Sequence, residues 1–101
     1  MEQVTDYLGK PVEPTLWAIN RALEVGGLVE VGNRRTGSVR LGKSIGNEAM
    51  DRGRPSEDVR YHVDDQVGHP SEFLIFKDIK EAYARFRFLV NGYFQTGLPP
   101  I

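Results

Sequence analysis

The chain contains no cysteine among its 101 residues. Disulfide bonds, thiolate metal sites and cysteine nucleophiles are therefore excluded. Long apolar stretches are missing too, because no run approaches the ~18 apolar residues that a membrane span needs. The first six residues, MEQVTD, also lack the basic and apolar regions of a signal peptide. We therefore expect a cytoplasmic protein that does not enter a membrane.

A large excess of charge of either sign is absent as well, since the net charge is only -1. The basic residues are nevertheless concentrated between positions 34 and 60, and no aromatic residue lies between Trp17 and Tyr61. Nucleic-acid-binding domains usually combine a strongly basic surface with interleaved aromatic side chains. We therefore expect this basic segment to be a solvated loop, and we expect no nucleic-acid partner.

The C-terminal third carries the clearest secondary-structure signal. Residues 73–76 form a short apolar run between polar residues, which predicts a strand buried on both faces. Asp78 is placed to cap a helix, and Glu81 stands three positions later, as in a capping box. Gly97 suits the left-handed turn after a helix. The sequence therefore predicts a helix from the Asp78 cap to Thr96.

Apolar residues recur along this helix within an arc of roughly 140°, wide enough to cover one face of a sheet. They are Ile79, Ala82, Tyr83, Phe86, Leu89, Val90, Tyr93 and Phe94. Phe88 departs from the stripe, about 180° from its centre. A single exposed aromatic is common, but an aromatic beside small residues and an arginine also suits an interface hot spot.

The remaining elements follow from turn residues and alternation. Pro14 favours the start of a helix that stops at Gly26 and Gly27. Strands at residues 28–31 and 38–41 flank a Gly-rich turn and predict an antiparallel hairpin, and residues 42–55 predict a long, mobile loop. Residues 58–64 alternate polar and apolar, as in a half-buried strand. This order predicts a single α+β domain, with a mainly antiparallel four-stranded sheet covered by a long C-terminal helix and a shorter N-terminal helix.

Residues 37–44 match the phosphate-binding pattern G-x-x-x-x-G-K-[ST]. A working phosphate loop needs an apolar strand before its first glycine and a helix beginning at its lysine. Here polar residues precede Gly37, and residues 39–41 alternate as a strand does. We therefore expect no nucleotide site and no cofactor.

The only polar cluster comprises His62, Asp64, Asp65 and His69. His62 and Asp64 would share the solvent face of their strand, as two metal ligands or an acid–base pair would. Polar side chains at alternate positions are also the ordinary composition of a water-facing strand. We favour that second interpretation, and we expect neither a metal site nor a catalytic residue.

The C-terminal third resembles a family of small bacterial immunity proteins, which are encoded beside deaminase-type toxins of polymorphic, contact-delivered toxin systems. The resemblance rests on the run from Pro70 to Phe76, on residues 78–82, on Arg85 and Phe86, and on the Thr-Gly-Leu-Pro segment of residues 96–99. It implies an α+β fold, no catalysis, and neutralisation of a cognate toxin domain by direct binding.

If the toxin is basic, its inhibitor should present carboxylates around an apolar anchor. The candidates in this sequence are Glu57, Asp58, Asp64, Asp65 and Phe88. The alternative is a small nuclease or phosphodiester-processing enzyme that uses His62 and the arginines of the 42–55 loop, because histidine and arginine together support phosphoryl chemistry.

Overall fold

A computed structural model describes residues 3–33, 35–45 and 59–100. The described residues form two helices and five strands in the order β1, α1, β2, β3, β4, β5, α2. The strands are β1 (Thr5–Asp6), β2 (Leu28–Asn33), β3 (Gly37–Ile45), β4 (Val59–Asp65) and β5 (Glu72–Phe76). The helices are α1 (Leu16–Gly26) and α2 (Ile79–Phe94).

All five strands belong to one antiparallel sheet, in which their spatial order follows the chain order. The predicted α+β class and the four predicted strands are confirmed. The two-residue β1, which pairs with β2, is an addition that the sequence did not signal. Strand β3 also extends to Ile45, so the first part of the predicted 42–55 loop is strand paired with β4, and the rest of that loop lies outside the described residues.

Both helices pack against one face of the sheet, here called the inner face. The sheet side of the core comes from odd-numbered residues of β2, β3 and β4 and from Phe76 of β5, and α1 and α2 supply the other side. The fully buried members include Ile19 and Leu23 of α1, Phe86 and Val90 of α2, and Val29, Val31, Val39, Leu41 and Val63 of the sheet. The predicted apolar stripe of the C-terminal helix therefore faces the sheet, except at Tyr93, which is 42% exposed.

The helix ends follow ordinary capping chemistry. The Thr15 hydroxyl accepts a hydrogen bond from the Ala18 N–H, and Gly27 ends α1 with a left-handed φ of 77°. Asp78 caps α2 by accepting from the Lys80 N–H at 3.0 Å. Helix α2 ends at Phe94, two residues before the expected Thr96, because Gln95 adopts the left-handed conformation.

Strand β5 corrects one prediction. The apolar run was expected to be buried on both faces, but Phe73 and Ile75 are 57% and 60% exposed. The physical reason is that β5 is the last strand of the sheet and that α2 covers only its inner face. An apolar run indicates a strand, but it does not show what lies on each side of it.

Within the described ranges, neither helix is long and apolar enough to cross a membrane.

Candidate partner-binding surface

The second face of the sheet, here called the outer face, carries the even-numbered residues of β2, β3 and β4 and the odd-numbered residues of β5, and none of the described elements packs over it. Two rows of directly opposed residues cross it. The charged row contains Glu30, Arg40, Asp64 and Phe73. The apolar row contains Leu28, Gly42, His62 and Ile75. This face brings an acidic side chain and exposed apolar side chains together.

The apolar row is organised around the His62 ring. A Cβ on Gly42 would lie 2.1 Å from His62 Nε2, so the ring occupies the space that a side chain there would fill. The opposite side of the ring stacks on Phe73, with ring centroids 5.3 Å apart and an interplanar angle of 23°. Ile75 lies directly across from His62 on β5. His62 is therefore a packing residue that supports the exposed Phe73 ring.

The charged row contains two carboxylates and one arginine. Arg40 lies between Glu30 and Asp64, and its guanidinium pairs with Glu30. Asp64 accepts a hydrogen bond from Gln66 Nε2 at 2.6 Å. Since Asp64 lies directly opposite Phe73, a net negative charge stands beside an exposed aromatic ring.

A polar groove of about 490 Å³ adjoins the charged row. Its lining comprises Glu30, Gly32, Asn33, Gly37, Ser38, Arg40 and Gln66. The groove therefore lies next to Asp64, and its lining provides both hydrogen-bond donors and hydrogen-bond acceptors.

Asp65, expected to share an acidic patch with Asp64, is only 5% exposed and points to the inner face. Its Oδ1 accepts hydrogen bonds from the N–H groups of Val67 and Gly68, and its Oδ2 accepts from the Tyr93 hydroxyl at 2.9 Å. Consecutive strand residues point to opposite faces, so the two carboxylates are separated by the sheet. Asp65 is a structural residue that ties the turn after β4 to α2.

Tyr93 belongs to the same cluster. Its hydrogen bond to the Asp65 carboxylate is the largest of the effects that raise its pKa above the usual 10.0, because loss of the phenolic proton would place two anions together. Burial raises the pKa of Tyr83 in the same direction, against a smaller lowering effect of Arg87.

Phe88 occupies a second, separate surface on the helix layer. It is 66% exposed, and the Arg85 guanidinium lies 5.4 Å from the centre of its ring. Arg85 also bonds to Glu72 of β5 at 3.0 Å, which links α2 to the edge of the sheet. Asp64 and Phe88 therefore lie on opposite layers of the molecule. Glu57 and Asp58, the other two predicted interface residues, lie outside the described residues.

The metal site and the nucleotide site lack the geometry that they would need among the described residues. Among the residues that the structure describes, no group of three or more His, Asp and Glu side chains could hold a metal ion. Residues 37–44, the apparent phosphate loop, all lie in β3, so no helix begins at Lys43. The sequence reasoning had rejected that motif for the same reason.

Comparisons with protein-family models, with curated proteins and with solved structures find no match to this chain.

The sequence reasoning missed Phe73 and Ile75 as surface residues. Their exposure carries no local signal, because it depends on which strand lies next in space. The alternation of strand side chains, by contrast, was enough to separate Asp64 from Asp65.

Proposed function

We propose that this chain is a binding protein without enzymatic activity, which neutralises a cognate bacterial toxin domain by direct complex formation. The observation that carries the proposal is the outer face, where the Asp64 carboxylate adjoins the exposed Phe73 and Ile75. The resemblance of the C-terminal third to small immunity proteins points to the same class. In this proposal the protein acts in the cytoplasm of the cell that produces it.

Charge and apolar contact have different tasks in such a surface. A toxin that acts on nucleic acid carries a basic surface, which Asp64 would attract during the encounter. The Phe73 ring is held by its stack on His62, so it loses little conformational freedom when a partner covers it. We therefore assign the association rate mainly to Asp64 and the lifetime of the complex mainly to Phe73.

Phe88 is the second candidate anchor. Its exposure and its contact with Arg85 fit an interface residue. Arg85, which lies beside Phe88, is already bonded to Glu72, whereas Asp64 lies directly opposite Phe73. The proposal therefore places the primary contact on the outer face and none on Phe88.

Co-expression tests the function. Cells that produce the toxin encoded beside this chain should survive when the wild-type chain is present, and the chain alone should be harmless. Asp64→Lys and Phe73→Ala should each weaken the rescue, and their combination should abolish it. Glu24→Lys is the matched control, because it makes the same charge change at an exposed position of α1.

Two outcomes would contradict the proposal. Toxicity of the chain expressed alone would favour a hydrolytic activity instead. Rescue that survives the double variant but disappears with Phe88→Ala would move the interface to the helix layer.

A further inference from the structure

The two edge strands of the sheet differ in how far other parts of the chain cover them. At the β1 edge, the chain folds back so that the Asp6 N–H donates to the Lys10 carbonyl and the Val12 N–H donates to the Val4 carbonyl. An isolated bridge between Thr5 and Pro11 completes this return. The β1 edge is thus only two residues long, and the following segment covers it.

The β5 edge has no comparable cover in the described part of the chain, where β5 pairs with β4 alone. Four of its five residues, Phe73, Leu74, Ile75 and Phe76, are apolar, and the charged residues Glu72 and Lys77 stand only at its ends. Natural sheets usually block their edges with charged residues or proline within the strand, with bulges or with covering segments. An apolar edge without these devices is suited to pairing with another strand.

We propose that the β5 edges of two copies of this chain pair antiparallel, so that the protein forms a homodimer with one continuous sheet. A twofold axis perpendicular to the sheet relates two antiparallel strands and keeps both helix layers on the same side. Two residues that lie opposite each other must then point to the same face of the sheet. The residue numbers of each opposed pair therefore add up to an even number.

The pattern of β5 selects one register. With Leu74 on the axis, all five residues of β5 are paired: Phe73 lies opposite Ile75 on the outer face, and Glu72 lies opposite Phe76 on the inner face. A shift of two residues would pair only three of the five, and it would place Phe73 opposite Lys77 or Ile75 opposite Ser71. Since cross-strand apolar pairs stabilise a sheet, the register centred on Leu74 is preferred.

The strand is short, so the dimer should be weak. Five paired residues bury less than the ~1,200–2,000 Å² typical of stable interfaces, which places this contact in the transient class. We therefore expect mainly monomer near 1 µM and mainly dimer near 100 µM, which corresponds to a dissociation constant on the order of 10 µM.

Sedimentation velocity on the purified chain alone tests the proposal, so its failure is separate from failure of the toxin hypothesis. The weight-average mass should rise from 11.4 kDa toward twice that value as concentration increases. Ile75→Lys should abolish the rise, because it places a charge opposite Phe73 of the second copy. Phe88→Lys, at an equally exposed apolar position on α2, should leave it unchanged.

Cysteine cross-linking tests the register independently of these substitutions. The chain has no cysteine, so any thiol cross-link in Leu74→Cys must join two copies. A short bis-thiol reagent should link Leu74→Cys at high concentration and should not link the control Phe88→Cys. A monomer at every concentration, or a dimer that Ile75→Lys leaves intact while Leu74→Cys remains unlinked, would overturn the proposal.

Discussion

At the scale of single residues, adjacent carboxylates have unrelated tasks. Asp64 is a surface charge beside Phe73, whereas Asp65 holds two backbone N–H groups and the Tyr93 hydroxyl. The Thr96 hydroxyl and the Leu98 N–H are held in the same manner by Asn91 Oδ1, which anchors the segment after α2. Buried polar groups of this kind cost stability when their partners are removed.

Asp65→Ala should therefore destabilise the fold by about 2–3 kcal/mol, because buried donors lose their acceptor. Urea melts measure the loss. Asp64→Ala is the matched control, and its effect should stay within about 0.5 kcal/mol because the side chain is on the surface. Equal effects of the two substitutions would contradict the separation of roles.

Tyr83 and Tyr93 predict that the stability of the fold decreases at high pH. The pKa values of Tyr93 and Tyr83 are raised above 10.0 in the folded state, so folding favours the protonated phenols. Their contribution to stability is complete below pH 10 and is lost as the pH rises through the folded-state pKa. Spectrophotometric titration should show phenols that ionise late, and Tyr93→Phe should remove one of them. A titration unchanged by this substitution would contradict the Tyr93 assignment.

At the scale of elements, α2 is the best-predicted part of the molecule. The Asp78 cap and the apolar spacing fixed its start and its buried face, because both signals are local in sequence. Strand β1 could not be predicted, because two residues carry no periodicity and their pairing with β2 depends on tertiary contacts. The edge position of β5 was missed for the same reason, since exposure depends on which strand comes next in space.

Two phenylalanines of α2 test which side of the helix packs against the sheet. Phe86 is completely buried, so Phe86→Ala should cost about 3–5 kcal/mol as a core truncation. Phe88, two residues along the same helix, is exposed, so Phe88→Ala should cost about 0.5 kcal/mol or less. The urea midpoints of the two variants compare them directly. If Phe86→Ala lowers the free energy of unfolding by less than about 1 kcal/mol, Phe86 does not lie on the buried side of α2.

At the scale of the whole molecule, two helices cover one face of a five-stranded sheet and leave the other face to potential partners. The fold class was predictable from the order of elements, because strands that follow one another without helices between them favour an antiparallel sheet. The candidate surface was predictable only in part. The sequence pointed to Asp64 and to the idea of a carboxylate beside an apolar anchor, but it chose Phe88 as the anchor, whereas Phe73 is the aromatic opposite Asp64.

Inhibition of the purified toxin domain by the purified chain tests the central claim most directly. An equimolar amount of the wild-type chain should abolish toxin activity through a stoichiometric complex. The Asp64→Lys, Phe73→Ala double variant should require at least about tenfold more protein, equivalent to ~1.4 kcal/mol of binding free energy, and Glu24→Lys should inhibit like the wild type. Full toxin activity in the presence of excess folded wild-type chain would contradict the account.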